Sequence, residues 1–329
     1  MAFGSSLLLP ARRFAAGVDV SQQALRLVVL SRRSRAGGGA RVEHMGEAPL
    51  TPGAMAGAEM VDRTAVSRAL RHLFAELPSR CDTQALSCAM GLPASAIATA
   101  TVPLAQFGGV RVASHRVHAT LEPAVMVEAE RIAGIERHAL AVDWFVEDAL
   151  HNASHAHDEG RVTIAAAGRA HLEARVECAA SAGITLTALD GEPHAALRAL
   201  RYAASCELTP REPYVALWIG TESVHGWHIA GETMTGEIRY PSLEYAGFAD
   251  ALRDLARQDA PGCALVGGEL ELLDGIGFSM ADIGDVLGCT VLPFECVTFG
   301  EGIAAHAVEL LHEPAYAVAF GLALRGVFE

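Results

Sequence analysis

One arrangement of apolar runs occurs twice in this chain, and it limits what the rest can fold into. The stretch from Tyr214 to Tyr240 reads YVALWIGTESVHGWHIAGETMTGEIRY. Its first run, Tyr214–Ile219, stops at Gly220. A second, Ser223–Ile229, breaks at Ala230-Gly231-Glu232, and a third runs from Thr233 to Tyr240. A helical pattern begins near Leu243. Short strand-like runs with glycine in the breaks predict a three-stranded meander. The same order occurs earlier: Ala15–Val20, a stop at Ser21-Gln22-Gln23, then Ala24–Ser31, Arg41–Ala48 and a helical pattern over Thr64–Leu77. Copies roughly 200 residues apart are a duplicated domain, because solenoid repeats recur every 20–50 residues or so.

Strands alternate with helices in both halves, which predicts two α/β lobes. The expected layout has a first lobe from residues 1–90 and 159–206, an inserted small α+β subdomain at 91–158, and a second lobe at 207–329. In the first lobe, Val66, Leu70, Leu73 and Phe74 form the apolar stripe of the helix before Pro78. Gln84–Met90 is a strand and Pro49–Ala58 a loop. The insert holds strands at Ile97–Val102 and Ala139–Leu150 around a helix at Glu122–Gly134. Arg161–Ala167 is expected to resume the first lobe, followed by a helix over Arg169–Ala182 closed by Gly183. A strand over Ile184–Leu189 and a helix opened by Pro193 complete that lobe. The second lobe continues with a helix over Leu243–Gln258, a strand at Cys263–Val266 and a capping box at Ser279–Asp282. After a strand at Cys289–Leu292, a helix over Ala315–Arg325 packs back toward the first lobe.

Composition excludes several chemistries. All 25 basic residues are arginine. Without lysine there is no Walker-A motif and no Schiff-base chemistry. A net charge of −14 argues against general nucleic-acid binding. The seven cysteines include no CxxC pair, which reads as buried reduced thiols. No window of 18 residues is apolar enough to span a membrane. His151, His155, His157 and Asp158 invite a metal reading, but no ligand-spacing rule supports it, and a solvated hairpin end explains them as well.

Two lobes that each open on a hairpin with a glycine-bearing turn can clamp a polyphosphate between them, because backbone N–H groups at such turns point at phosphate oxygens. The first turn offers Asp19, Ser21 and Gln22, with Asp19 the candidate Mg²⁺ ligand. The second offers Gly220 and Thr221, and Gly267-Gly268 lets the backbone approach an adenosine phosphate. In the second turn the position equivalent to Asp19 is Trp218. Tryptophan neither ligates Mg²⁺ nor activates water, so hydrolysis is not expected.

These residues carry a resemblance. Gly17-Val18-Asp19-Val20 with Leu25-Arg26-Leu27-Val28, Leu92-Pro93, Val102-Pro103-Leu104, Glu128-Ala129-Glu130-Arg131, Val142-Asp143, Val266-Gly267-Gly268 and Gly321-Leu322-Ala323-Leu324-Arg325 stand in the order found in the PilM family of type IV pilus assembly proteins. That family is similar to the cell-division protein FtsA and to the actin-like ATPase superfamily. The resemblance implies an actin-like (ribonuclease H-like) fold and ATP between the lobes. It also implies a cytoplasmic scaffold, peripheral to the inner membrane through its partners. These are the N-terminal cytoplasmic peptide of an inner-membrane PilN-like protein and other pilus motor components. The family binds the peptide between the first lobe and its insert. Here the strand-like residues Ile97, Thr99, Thr101, Trp144 and Val146 are the candidate peptide contacts, with Arg111 and Arg116 as added charge. The chain departs from the family at Ser21, at Trp218, and at Ala246-Gly247 with Asp250, which together imply a degenerate nucleotide site. Two alternatives in the same superfamily are an FtsA-like membrane tether, and a sugar or acetate kinase that would need an acid at Trp218. A third is the cytoplasmic part of a type II secretion platform protein.

Overall fold

The computed structural model describes residues 12–33, 38–81, 86–107, 117–147, 160–240, 244–257, 259–300 and 307–328. The chain divides into two compact units, Pro93–Arg175 and the remainder.

In the larger unit, β1 (Arg12–Val20), β2 (Ala24–Arg33) and β3 (Arg41–Pro49) form the first meander. The expected loop after it contains a small hairpin, β4 (Met55–Ala56) with β5 (Glu59–Met60), followed by α1 (Arg63–Ala75) and β6 (Ser87–Leu92). The chain then enters the smaller unit with β7 (Ile97–Pro103), α2 (Val117–Ala133), β8 (Leu140–Glu147), β9 (Arg161–Gly168) and the start of α3 (Arg169–Ser181). It returns as β10 (Ala188–Gly191) and α4 (Glu192–Glu207). The second meander is β11 (Tyr214–Ile219), β12 (Val224–Ala230) and β13 (Thr233–Tyr240). After it come α5 (Tyr245–Ala256), β14 (Cys263–Gly268), α6 (Glu271–Asp274), α7 (Met280–Leu287), β15 (Thr290–Pro293) and α8 (Ala317–Phe328).

The two large sheets repeat one plan. The first has strand order β10-β6-β1-β2-β3 and the second β15-β14-β11-β12-β13. In each, the opening strand is antiparallel to its meander neighbour and parallel to the strand on its other side. Ala15–Val20 and all of β11 are buried. Strands covered on both faces read as unbroken apolar runs, which is why these two stretches dominate the sequence.

Small residues let the central layers approach. Helix α8 packs on β1, β2 and β6, and α4 packs on α8, β11 and β14. A Cβ on Gly17 would stand 2.0 Å from the Ala319 carbonyl oxygen, and one on Gly321 would stand 1.8 Å from that of Ala195. The facing side of α4 is Ala195, Ala196, Ala199 and Ala203, all buried. On the outer side of the first sheet, α1 buries Val66, Leu70 and Leu73, while Phe74 is only half-buried. On the outer side of the second, Phe248, Leu252, Phe278 and Ile283 pack on Val215, Leu217 and Ile219. Ser279 and Asp282 form the expected capping box, and Gly183 takes the left-handed conformation after α3 with φ 80°.

The sequence expectation for residues 161–167 needs correction. β9 does not join the first lobe's sheet; it is the central strand of a separate three-stranded sheet, ordered β7-β9-β8. Its alternate residues Val162, Ile164 and Ala166 close a core with Leu121, Val125 and Ala129 of α2. Without that strand β7 and β8 would have no shared partner. The smaller unit is therefore 93–175 rather than 91–158, and the chain returns to the larger unit within α3. The strand expected over Ile184–Leu189 forms later and shorter, at Ala188–Gly191. The histidine cluster at 151–158, Arg111 and Arg116 lie outside the described residues.

Candidate functional site

Asp19 sits opposite Arg26 in the β1–β2 ladder, and Arg26 sits opposite Glu47 in the β2–β3 ladder. The guanidinium lies 3.9 Å from Asp19 and 3.4 Å from Glu47. It also donates two hydrogen bonds, 2.5 and 3.2 Å long, to the Glu269 carboxylate. Glu269 follows Gly267-Gly268 at the end of β14, so one arginine ties the first meander to the glycine turn of the second lobe. Three carboxylates share this one cation. Asp19 is 5% exposed. Burial raises its carboxyl pKa to about 6; Arg26 pulls against that shift and Glu269 adds to it.

The second lobe builds the corresponding place from rings. Trp218 sits opposite His225, as Asp19 sits opposite Arg26. Their ring centroids are 5.7 Å apart, and His225 stacks on Trp227 at 5.8 Å. The His225 Nε2 is 3.1 Å from the Ser223 hydroxyl. Burial, with Arg239 and His194 nearby, pushes the His225 imidazole down to about 4, so it is neutral at pH 7. The Trp218 ring fills the space before its turn: a Cβ on Gly220 would stand 2.5 Å from it.

Several of the turn donors are already used. The Ser21 N–H donates to the Ala24 carbonyl at 2.9 Å, and the Ser21 hydroxyl accepts from the N–H groups of Gln23 and Ala24. The Gly220 N–H donates to the Ser223 carbonyl, and the Glu269 N–H to the Ile219 carbonyl. Gln22 reaches across to the Gly57 carbonyl at 3.1 Å, and Thr221 is exposed. Gly268, at φ 100°, lies so close to the Ile219 carbonyl that its lack of a Cβ is a packing requirement. Of the residues picked from the sequence, Asp19 thus lies beside the Arg26–Glu269 pair, while Gly267 and Gly268 precede Glu269 and pack against Ala317 and Ile219. Ser21, Gln22, Gly220 and Thr221 belong to the two turns. Among the described residues, no group of three or more His, Cys, Asp or Glu side chains has the arrangement of a metal site. Sequence reading passed over Arg26, Glu47 and Glu269 as ligand-relevant charges. It also missed Asp190, which is held by Arg198 at 2.9 Å and Arg325 at 3.5 Å. A charge opposite Asp19 across a short turn was the available signal for Arg26.

The smaller unit presents a second candidate surface, the open face of its sheet. Thr99 and Thr101 on β7 are exposed, and Ile97 is half-buried on the same face. Thr101 pairs with Thr163 through their hydroxyls at 3.1 Å. Trp144 and Val146 point the other way, packed against the core beneath α2. The residue between them, Phe145, is 55% exposed on the open face. The five candidate peptide contacts are therefore divided between two faces, and alternation along β8 identifies Phe145 as the aromatic on the side of the threonines.

The profile described as "Type IV pilus assembly protein PilM" matches residues 17–216. The chain belongs to the PilM family. That match covers the Asp19 turn, the whole of the smaller unit and the start of β11. The chain aligns over 96% of its length with a solved structure described as "PilM-PilN type IV pilus biogenesis complex", covering 99% of that chain at 21% identity with a TM-score of 0.70. The PilM fold, a duplicated two-lobed actin-like α/β architecture, is thus shared. More distant is a protein with an actin-like ATPase fold from Bacteroides thetaiotaomicron, at 7% identity and TM-score 0.47, covering 85% of this chain and 91% of that one. An ethanolamine utilization protein EutJ from Carboxydothermus hydrogenoformans matches at 14% and 0.41, covering 96% and 90%. Comparison with curated proteins found no match. Among the described residues, no helix of this PilM-family chain is long and apolar enough to cross a membrane.

Proposed function

We propose that this chain is a non-enzymatic scaffold of type IV pilus assembly. In this reading it holds the short N-terminal cytoplasmic peptide of a PilN-like inner-membrane protein on the sheet of the 93–175 unit. That attachment keeps it on the cytoplasmic side of the inner membrane. The observation that carries the reading is the open sheet face: an exposed Phe145 beside a threonine ladder, on a sheet whose outer strands are β7 and β8. An extended peptide can add to such an edge through main-chain hydrogen bonds and seat an apolar side chain on the aromatic. The solved relative is a PilM–PilN complex, which supports a partner of that kind.

The cleft fits a magnesium triphosphate poorly. Several of its turn donors are engaged within the protein, the Trp218 ring stands at the second turn, and among the described residues the Arg26 cation beside Asp19 is shared by three carboxylates. A triphosphate would meet net negative charge there, so the cleft acts as a closed joint without catalysis.

Fluorescence anisotropy with the labelled cytoplasmic segment of the PilN-like partner tests the peptide reading. Phe145→Glu should weaken binding at least about tenfold, or roughly 1.4 kcal/mol. Val127→Glu, on the exposed side of α2, should leave it unchanged. Wild-type affinity in Phe145→Glu would place the peptide elsewhere. Separately, calorimetry should detect no Mg-ATP binding; a dissociation constant at or below about 1 μM, near −8 kcal/mol, would overturn the reading of the cleft alone.

A further inference from the structure

A groove lies within the larger unit, between α1 and the end of α3, with a volume of about 430 Å³. Arg63, Arg68 and Arg71 line one wall, and Glu177 and Ser181 belong to the other. The three arginines fall within little more than two turns of α1, on its exposed side. Arg63 is ion-paired to Glu177. Arg71 spends one N–H on the Ser181 carbonyl at 2.8 Å and, among the described residues, no other partner takes its remaining side-chain N–H groups. The Arg68 side chain makes no ion pair or hydrogen bond among the described residues. Three cations against one acid leave a locally positive groove on a chain whose net charge is −14.

A smaller cavity of about 240 Å³, which shares Arg71 as a lining residue with the groove, is lined by Phe74, Leu86 and Ile184. Leu86 is buried, while Phe74 and Ile184 are half-buried. This also accounts for Phe74 lying partly outside the core stripe of its helix. The groove is thus cationic and the cavity that shares Arg71 apolar.

We propose that this groove docks a short acidic–apolar peptide segment of a partner protein, with its carboxylates on Arg68 and Arg71 and an apolar side chain against Phe74 and Ile184. The proposal is independent of the peptide capture assigned to the 93–175 sheet. Guanidinium groups take carboxylates through paired N–H donors, which fixes orientation as well as charge. An inorganic anion would leave the apolar end unused. Acidic segments are repelled by most of a chain this negative, so a local positive groove also guides where they land.

The test pans a phage-displayed library of random dodecapeptides against the full chain. Enriched peptides should carry Asp or Glu next to Leu, Ile or Phe. Synthetic copies should lose about tenfold or more in affinity on Arg68→Glu, which disturbs no internal partner, and more on the Arg68→Glu/Arg71→Glu double variant. Lysine in place of the peptide acids should restore binding to the double variant, and Ile184→Asp should weaken the original peptides. Circular dichroism of each variant should match wild type. Enrichment without an acidic bias would overturn the proposal, as would acidic peptides indifferent to Arg68→Glu. Peptides indifferent to Ile184→Asp would reduce the groove to a bare anion site and overturn it too. Sedimentation with phosphatidylglycerol vesicles that Arg68→Glu abolishes would assign the arginines to lipid instead.

Discussion

Replacing Arg26 by Met keeps the length of the side chain and removes the charge that joins the lobes. Arg26 is 12% exposed in its side chain, Asp19 7%, Glu269 15% and Glu47 41%. At an effective dielectric near 20, unit charges at these separations attract by roughly 4–7 kcal/mol each. Desolvation offsets most of that. Breaking a buried pair costs about 3–5 kcal/mol, chiefly because the remaining partner is stranded. Here the lower end applies, since Glu47 can rehydrate and Asp19 can take up a proton once the opposing charge is gone. The expected loss is about 3 kcal/mol. At roughly 2–3 °C per kcal/mol for a unit of this size, that is a fall of about 6–9 °C in melting temperature, read by circular dichroism with urea titration as a check. Glu269→Gln alone should cost only about 1 kcal/mol, because Arg26 keeps two carboxylates. The double variant should then lose less than the sum by about 1 kcal/mol or more, as contacting residues couple. A shift below about 2 °C for Arg26→Met, or strict additivity in the cycle, would show that the guanidinium does not tie the lobes together.

Asp19→Asn should change how stability depends on pH. The folded protein holds the Asp19 proton to about pH 6, whereas the unfolded chain releases it near 3.8. The folded state therefore binds more protons in that window, and wild-type stability falls as pH rises through it. Stability measured relative to wild type should improve for Asn by roughly 2–3 kcal/mol between about pH 4 and pH 6.5; a constant difference would refute the raised carboxyl. Leu70→Ala, at a side chain with no exposure, should cost about 2–5 kcal/mol in urea unfolding, and an unchanged midpoint would misplace the α1 core face. Gly321→Ala must push α8 off the Ala195 carbonyl and should cost roughly 1–3 kcal/mol, with wild-type melting the contrary result.

The duplication was legible because each lobe's central strand is covered on both faces and so appears as an uninterrupted apolar run. The turns at Ser21 and Gly220, the capping box at Ser279 and the helix opened by Pro193 were legible because each depends on local chemistry. β9 was not. Its sequence, RVTIAAAG, suits any half-buried strand, and only the position of α2 selects β7 and β8 as its partners. The cleft was partly legible. Trp218 as the counterpart of Asp19 follows from aligning the two meanders, and the ladder register places both opposite the corresponding β2 and β12 residues. The Arg26–Glu269 pair spans a separation of 243 residues, and no local pattern reports such a contact. On the smaller sheet, period-two alternation along β8 alone separates Phe145 from Trp144 and Val146.

The seating of α8 on β1 has a consequence for synthesis. Residues 12–20 leave the ribosome some 300 residues ahead of residues 317–328, which supply the surface that covers Gly17. Until those arrive, β1 and β2 lack the helix that packs on them there. Strands β1 and β2 must wait through the production of some 300 residues, at roughly 5–20 residues per second, with apolar faces uncovered. Contacts of such long sequence separation form slowly. The nascent chain therefore faces a window of roughly 15–60 s in which a chaperone that covers apolar strands would decide its yield.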